Sequence, residues 1–392
     1  MGKPIYLDYN ATTPIDPAVR EAMLPYLDEY FGNPSTTHAY GLPAKAAVEH
    51  ARMQVATLIG AAAEEIVFMS GGSESDNQAI IGTALASSRK GKHIITMCIE
   101  HPAVLITCRY LEERLGIKVT YLPVDKYGLV DPDDIRRAIT GETILITIMH
   151  ANNEVGTIEP IADIGEIARE NGIIFHTDAA QSCGKIRVDV NELKVDLLTI
   201  AGHKLYAPKG IGALFIRKGV QIDSFIHGAG QEKGRRAGTE NVPYMVGLGK
   251  ACELAGNDLP EYTAKVKALR DRLYQRIVDS LGSYRVHLNG HPERRLPNTL
   301  NISIRSAVGD ELLNQIPEIA ASTGAACHAG STEPSSVLLE MGLSRELALG
   351  ALRLTLGRGS TQEEIDTAAN LIVEQAKRQT IPQSSNNIDY SI

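Results

Sequence analysis

Apolar residues in this chain fall into two patterns: short dense runs, and stretches where they recur every three or four positions. The dense runs are bounded by Gly or charge and predict buried strands at 66–69, 94–97, 119–122, 144–149, 173–176, 197–200 and 213–216. The spaced stretches predict helices. Over 44–59 the spacing puts Val48, Ala51, Val55 and Leu58 on one side, and Asp16-Pro17 reads as an N-cap and N1 proline opening a helix through about Tyr30. Strands alternating with helices imply a mostly parallel sheet covered on both faces, with ligands at the carboxyl ends of its strands. After Lys250 the pattern changes to a long amphipathic helix over 261–281 and short strands near Val286, at 300–304 and at 352–356. The expected fold class is α/β, with a large mostly parallel sheet domain over 15–255. A smaller α+β domain over 1–14 plus 256–380 and a loose polar tail at 381–392 complete the chain.

Composition supports this division. With 392 residues the chain exceeds what one core usually sustains, and 43% hydrophobic with 22% charged residues is ordinary for a soluble enzyme. A net charge of -8 without a basic tract argues against direct nucleic-acid binding. The start lacks an apolar leader core, and no run approaches the roughly 18 apolar residues of a membrane span, so a cytoplasmic location and no membrane partner are expected. Five cysteines, Cys98, Cys108, Cys183, Cys252 and Cys327, are too few and scattered for a disulfide framework, and no C-x-x-C spacing suggests a metal.

Two predicted strand ends carry candidate chemistry: one run leads into Asp178-Ala-Ala-Gln181, another into Gly202-His203-Lys204. A lysine that forms a Schiff base needs burial or a cationic neighbour to lower its pKa, and His203 stands beside it. A carboxylate such as Asp178, paired with a pyridine nitrogen, keeps that nitrogen protonated so the ring accepts electrons. Each has an ordinary alternative, Asp178 as a helix cap and Lys204 as a solvated lysine. A third element shifts the balance: Ser70-Gly-Gly-Ser-Glu-Ser75 joins an apolar strand to a helix through small residues, which exposes backbone N–H groups to an anion. It has neither G-x-G-x-x-G nor the P-loop lysine, so dinucleotides and triphosphates are not supported. Acid, lysine and phosphate cradle together suit pyridoxal 5'-phosphate.

Cys327 lies among small and polar residues between Ser322 and Pro334, a loop setting. A free cysteine is more often buried and inert, but as a thiolate it is a nucleophile, and His328 beside it would help lower its pKa.

With these residues in view, the chain resembles the cysteine desulfurases of the class-V aminotransferase type, which feed sulfur to iron–sulfur clusters and thio-modified tRNA. The matching motifs are Tyr6-Leu-Asp-Tyr-Asn-Ala-Thr-Thr-Pro14, Phe31-Gly-Asn-Pro-Ser35, Ser70 to Ser75, Glu100-His101, Asn152-Asn-Glu154, His176 to Gln181 and Gly202-His-Lys-Leu-Tyr206. Further on stand Arg236-Ala-Gly-Thr239-Glu-Asn241, Leu296-Pro-Asn298 and Gly324-Ala-Ala-Cys327. The resemblance runs from residue 6 to about 358 and implies the fold type I of pyridoxal-phosphate transferases.

It also implies roles. Lys204 carries the cofactor, Asp178 pairs with the pyridine nitrogen, Gln181 bonds the ring hydroxyl and His101 stacks on the ring. Gly72, Ser73 and His203 hold the phosphate, joined by Thr239 from the second protomer of a homodimer. Asn153 and Arg353 hold the substrate carboxylate, Arg353 through a bidentate pair. L-Cysteine displaces Lys204, whose freed amine takes the Cα proton; Cys327 attacks the substrate sulfur, leaving a persulfide and alanine. His101 is the acid and base near the thiol, and an acceptor such as an iron–sulfur scaffold takes the sulfur. In their ordinary readings His101 is a capping or core histidine and Arg353 a surface arginine on a strand.

The chain departs from the family pattern at Ala201, where Ser is frequent, and at Ser73, where many have Thr; both imply a somewhat weaker hold on the cofactor. Selenocysteine lyase shares the Gly324-Ala-Ala-Cys-His328 and Leu296-Pro-Asn-Thr299 motifs and is the rival reading. Pro102, where vertebrate lyases tend to have Asp, and Ser331-Thr-Glu-Pro334 favour the desulfurase. A non-catalytic scaffold leaves Lys204, Asp178 and Cys327 without purpose, and a plain aminotransferase leaves Cys327 without one. The residues after Arg378 do not match the scaffold-binding end of well-known members, so the acceptor stays open.

Overall fold

A computed structural model describes residues 3–87, 90–324 and 333–379. Its strands are β1 (Ile5–Tyr6), β2 (Ile66–Met69), β3 (His93–Met97), β4 (Lys118–Leu122), β5 (Thr143–Thr147), β6 (Ile174–Asp178), β7 (Leu197–Ala201), β8 (Gly212–Ile216), β9 (Val286–Leu288), β10 (Thr299–Ile304), β11 (Ile319–Ala320) and β12 (Ala351–Thr355). Strands β2 to β8 form one seven-stranded sheet in the order β2-β8-β7-β6-β5-β3-β4. Only β8 runs against the others, pairing antiparallel with both β2 and β7. The expected mostly parallel α/β sheet is therefore present.

Alternation along these strands divides the side chains between two covered faces. Ile95, Met97, Ile146, Phe175, Leu198, Ile200 and Phe215 join one core with the helices α1 (Pro17–Met23) and α3 (Gly41–Leu58). Their strand neighbours Val67, Met69, Ile94, Leu145, Leu197 and Leu214 pack the other way, with side chains of α4 (Gly72–Ala86) and α5 (Pro102–Leu115). The helix expected through Tyr30 is instead two: Asp16 Oδ1 caps α1 by accepting from Ala18 N at 2.9 Å, and Pro25, which has no N–H, starts α2 (Pro25–Asp28). Helices α6 (Pro132–Ala138) and α7 (Ile161–Glu170) pack on each other near β4 and β6.

The helix expected over 261–281 begins much earlier. Helix α8 runs Val242–Leu281, 40 residues with Pro260 inside. Its first half, through Met245, Leu248, Ala251 and Ala255, belongs to the core of the large sheet, and its second half, through Leu269, Leu273 and Ile277, to a second core. The first half is poor in large apolar residues because α3 comes close: a Cβ on Gly249 would stand 2.6 Å from Ala51 Cα. The second core rests on the antiparallel sheet β12-β10-β9, backed by α12 (Gln362–Arg378) and the short helix α9 (Gly309–Asn314); α10 (Ser336–Glu340) and α11 (Arg345–Leu349), which precede β12, give Val337, Leu338 and Ala348 to the core of the large sheet. β1 pairs in parallel with β11, and Asp8 bridges to Thr355, so the N-terminal segment is tied to this second region.

Candidate active site

A cavity of about 700 Å³ opens at the carboxyl ends of β6 and β7 and at the start of α4, where an open α/β sheet binds ligands. Strand β6 extends two residues beyond its expected end, so Asp178 is its last residue, buried, with Oδ1 accepting from Ala180 N at 2.8 Å. Burial pushes the Asp178 carboxyl up, against the opposing pull of His101 and Lys204.

Lys204 follows β7 by one tight turn. Its Nζ donates to the carbonyls of Asn10 at 2.5 Å and Ala11 at 2.8 Å, and burial first, then Arg353, brings its pKa down to about 8. His203 beside it, also depressed by burial, falls to about 4 and is therefore neutral. The lysine is made less basic mainly by desolvation and hardly by a charged histidine.

The turn expected to cradle a phosphate joins β2 to α4. Gly71 precedes α4 in extended backbone, and the first-turn N–H groups of α4, at Gly72 and Ser73, have no acceptor within the helix. A Cβ on Gly72 would stand 3.2 Å from Ala201 Cβ, so the Ser frequent at 201 in the family would place its hydroxyl beside this turn. Glu74 fixes the turn by accepting from Ser70 N and pairing with Arg236 Nε at 2.9 Å.

His101 stands at the start of α5. It caps α5, with Nδ1 accepting from Ala103 N at 3.1 Å, and also lines the cavity. Because Nδ1 accepts, the neutral ring carries its proton on Nε2; burial lowers its pKa and keeps it neutral. Asn153 lines the cavity wall with Arg353, which is only 7% exposed and so is no surface arginine. Arg353 Nη2 donates to Asp8 Oδ1 at 2.9 Å and Nη1 to Asn153 O at 3.3 Å, while its buried Nε has no partner.

Gln181 completes the set, with Nε2 donating to Asn10 O at 3.0 Å and Oε1 accepting from Lys185 Nζ at 2.7 Å. Thr239 does not line this cavity. It lies in a separate recess with Tyr26, Tyr30 and Phe31. Cys327 and the 381–392 tail lie outside the described residues. Among the described residues on either side, Gly324 has φ +87°, and a Cβ there would stand 3.0 Å from Glu154 Oε2, while Ser335 Oγ donates to the same oxygen at 2.5 Å. Burial raises the Glu154 carboxyl to about 7.

The sequence reading passed over Asn10, Asp76 and Lys185. Asp76 is buried one turn into α4 and lines the cavity, its Oδ1 without a hydrogen-bond partner and 3.7 Å from His176 Nε2. Asn10 sits inside a matching motif and Asp76 directly after one, yet nothing in the spacing says that their side chains turn inward. Among the described residues no cluster suits a metal ion.

Residues 5–367 match the aminotransferase class-V family. The cysteine desulfurase IscS of Methanosarcina thermophila is 52% identical over 374 residues, covering 95% of this chain and 92% of that protein. The chain belongs to the cysteine desulfurases. The Dictyoglomus turgidum cysteine desulfurase IscS is 49% identical, with 95% and 94% covered. Among solved structures, a NifS-like protein superposes with a TM-score of 0.89 at 38% identity, covering 96% of this chain and all of that one. SspA in complex with cysteine gives a TM-score of 0.80 at 40% identity, covering 91% and 99%.

Desulfurases of this family depend on pyridoxal phosphate, and so does this enzyme. The residues fit the group. The open first turn of α4 offers N–H donors to a phosphate, Lys204 is a buried amine of lowered basicity, and Asp178 is a buried acid across the same cavity.

Proposed function

We propose that the protein converts L-cysteine to L-alanine and places the substrate sulfur on Cys327 as a persulfide. The observation that carries this is Lys204, Asp178, the α4 turn, Asn153 and Arg353 lining one cavity. Lys204 would hold pyridoxal phosphate, with Asp178 at the ring nitrogen, Gln181 at the ring hydroxyl, His101 on the ring face, and Gly72, Ser73 and His203 at the phosphate. Bound there, the cofactor supplies an electron sink for the charge left when a Cα proton departs.

The chain's own groups do the rest. Arg353 and Asn153 orient the substrate carboxylate, which sets the Cα–H bond towards Lys204. The Lys204 amine accepts that proton, and a pKa near 8 leaves about a tenth of it unprotonated at pH 7 against far less for an ordinary lysine. His101 Nε2–H exchanges protons at the substrate thiol. The Cys327 thiolate attacks the substrate sulfur: an S–S bond forms, the Cβ–S bond breaks, and its electron pair stays on Cβ, which gains a proton to become the methyl of alanine. Sulfur is oxidised and carbon reduced, with no outside oxidant.

An acceptor protein takes the sulfane sulfur for iron–sulfur cluster assembly or tRNA thiolation. The exposed apolar residues Leu27, Phe31, Tyr40 and Leu42 lie in the same region of the chain as the recess that contains Thr239, which supports a homodimer in which Thr239 reaches the partner's phosphate. No helix among the described residues is long and apolar enough to cross a membrane. The four described cysteines are free, which supports a reducing cytoplasm.

The test is turnover of L-cysteine and L-selenocysteine by wild type and Cys327→Ala, scoring alanine with sulfide or selenide under a reductant. Cysteine turnover that disappears in the variant supports the proposal. Turnover of selenocysteine alone, or release of pyruvate in place of sulfide, refutes it.

A further inference from the structure

Resting on the reading of Lys204 as the cofactor-bearing lysine, one structural question follows from the reaction. Once substrate displaces it, the Lys204 amine takes up a proton inside a buried cavity and must later return. An ammonium there needs acceptors, and a carboxylate partner would hold the proton too firmly for a group that has to give it back. Among the described residues Lys204 forms no ion pair; Asp178 and Asp8 act on it only at a distance. Its two acceptors are the consecutive main-chain carbonyls of Asn10 and Ala11.

That peptide is immobilised. Asn10 is 1% exposed, and every polar site of its side chain is engaged. Nδ2 donates to Asn153 O at 3.1 Å and to Thr299 Oγ1 at 2.9 Å, while Oδ1 accepts from Lys185 Nζ at 3.2 Å and Asn298 Nδ2 at 3.0 Å. Its main-chain N donates to Thr355 Oγ1 at 3.0 Å, and its carbonyl also takes Gln181 Nε2. These partners come from the large sheet's loops and from β10 and β12 of the second region, so one amide links both halves of the molecule to the reactive lysine. Lys185, buried and without a carboxylate partner, is held well below the usual lysine range and acts here as a donor that fixes the amides of Asn10 and Gln181.

We propose that the carbonyls of Asn10 and Ala11 are the resting site of the displaced Lys204 ammonium, and that the Asn10 side chain is the positioning residue that holds them. Two dipoles steady the cation without neutralising it, which keeps the amine within reach of the site it left.

The experiment uses full-length wild type, Asn10→Ala and Asn10→Asp. In cofactor-stripped protein, the rate of Lys204 acetylation by acetic anhydride is followed against pH by peptide mass spectrometry; in holoenzyme, kcat and KM for L-cysteine are measured. Asn10→Ala, which frees the carbonyls, moves the Lys204 inflection down. Asn10→Asp, which adds a carboxylate beside the same peptide, moves it up by about one pH unit. Both lower kcat by about tenfold or more. Circular dichroism checks folding, and Asn10→Ser replaces any variant that does not fold; like Asn10→Ala, it moves the inflection down. An inflection unmoved in the folded variants overturns the proposal, whatever their activity. Loss of cysteine turnover in the wild type sinks the parent reading instead, and leaves the labelling result to decide the carbonyl site by itself.

Discussion

The cavity end of the large sheet and the second core are built by opposite rules. Around the cavity, Asp76, Glu100, His176, Asp178, Lys185 and Lys204 are ionisable groups deprived of water, and burial shifts each towards its neutral form. The second core, Leu273, Ile277, Leu300, Ile302, Leu352, Leu354 and Ile372, is apolar, and its polar margin is uncharged: Asn289 Nδ2 donates to Asn301 Oδ1 at 2.8 Å and to Ser303 Oγ at 2.9 Å, while Asn289 Oδ1 is left without a partner. One region gives up stability to keep reactive groups uncharged; the other supplies stability and holds β12, with Arg353, in place. Substitutions in the two should therefore fail differently.

The sharpest break is Lys204→Ala. Cysteine turnover should fall by more than about a thousandfold, while the thermal midpoint holds or rises because a desolvated cation has gone. A steady-state assay beside a melting curve checks both. Ile302→Ala should do the reverse. Fully buried on β10, it should cost about 2–5 kcal/mol in chemical denaturation, with kcat nearly unchanged wherever the protein stays folded.

A third prediction concerns pH. The folded pKa of Lys204, about 8, lies below its unfolded value near 10.4, so between these the unfolded chain binds more protons and stability rises with pH, levelling above. In cofactor-free protein that rise should be present in wild type and reduced in Lys204→Met, read as the denaturation midpoint from pH 7.5 to 10.5. The smallest effect should come from the partly exposed pair Arg272 and Asp366, 2.6 Å apart: Asp366→Asn should cost less than about 1 kcal/mol and leave kcat alone.

The same contrast explains what the sequence made legible. Strands β2, β3 and β5 to β8 are covered on both faces, so they read as apolar runs, and Asp178 and Lys204 stand out because they follow such runs, whereas the edge strand β4 leaves Lys118 and Tyr121 exposed. The first half of α8 is not legible, because Gly247 and Gly249 are small where Met23 of α1 and Ala51 of α3 come close. The break between α1 and α2 was signalled by Pro25 and passed over. Asn10 and Lys185 were illegible as partners because what defines them is contact across the chain: Asn10 meets Thr299 and Thr355, 289 and 345 positions away. Asp76 is a helix residue by pattern, and only the packing of α4 on the sheet shows that it faces the cavity.

The claim on which the rest depends is that Lys204, of all the lysines, carries the cofactor. Borohydride reduction of the holoenzyme followed by peptide mapping tests it directly. The account predicts the added cofactor mass on the peptide containing Lys204, and its absence in Lys204→Ala. The same mass on Lys185 or another lysine, or no label in a protein that turns over cysteine, would contradict it.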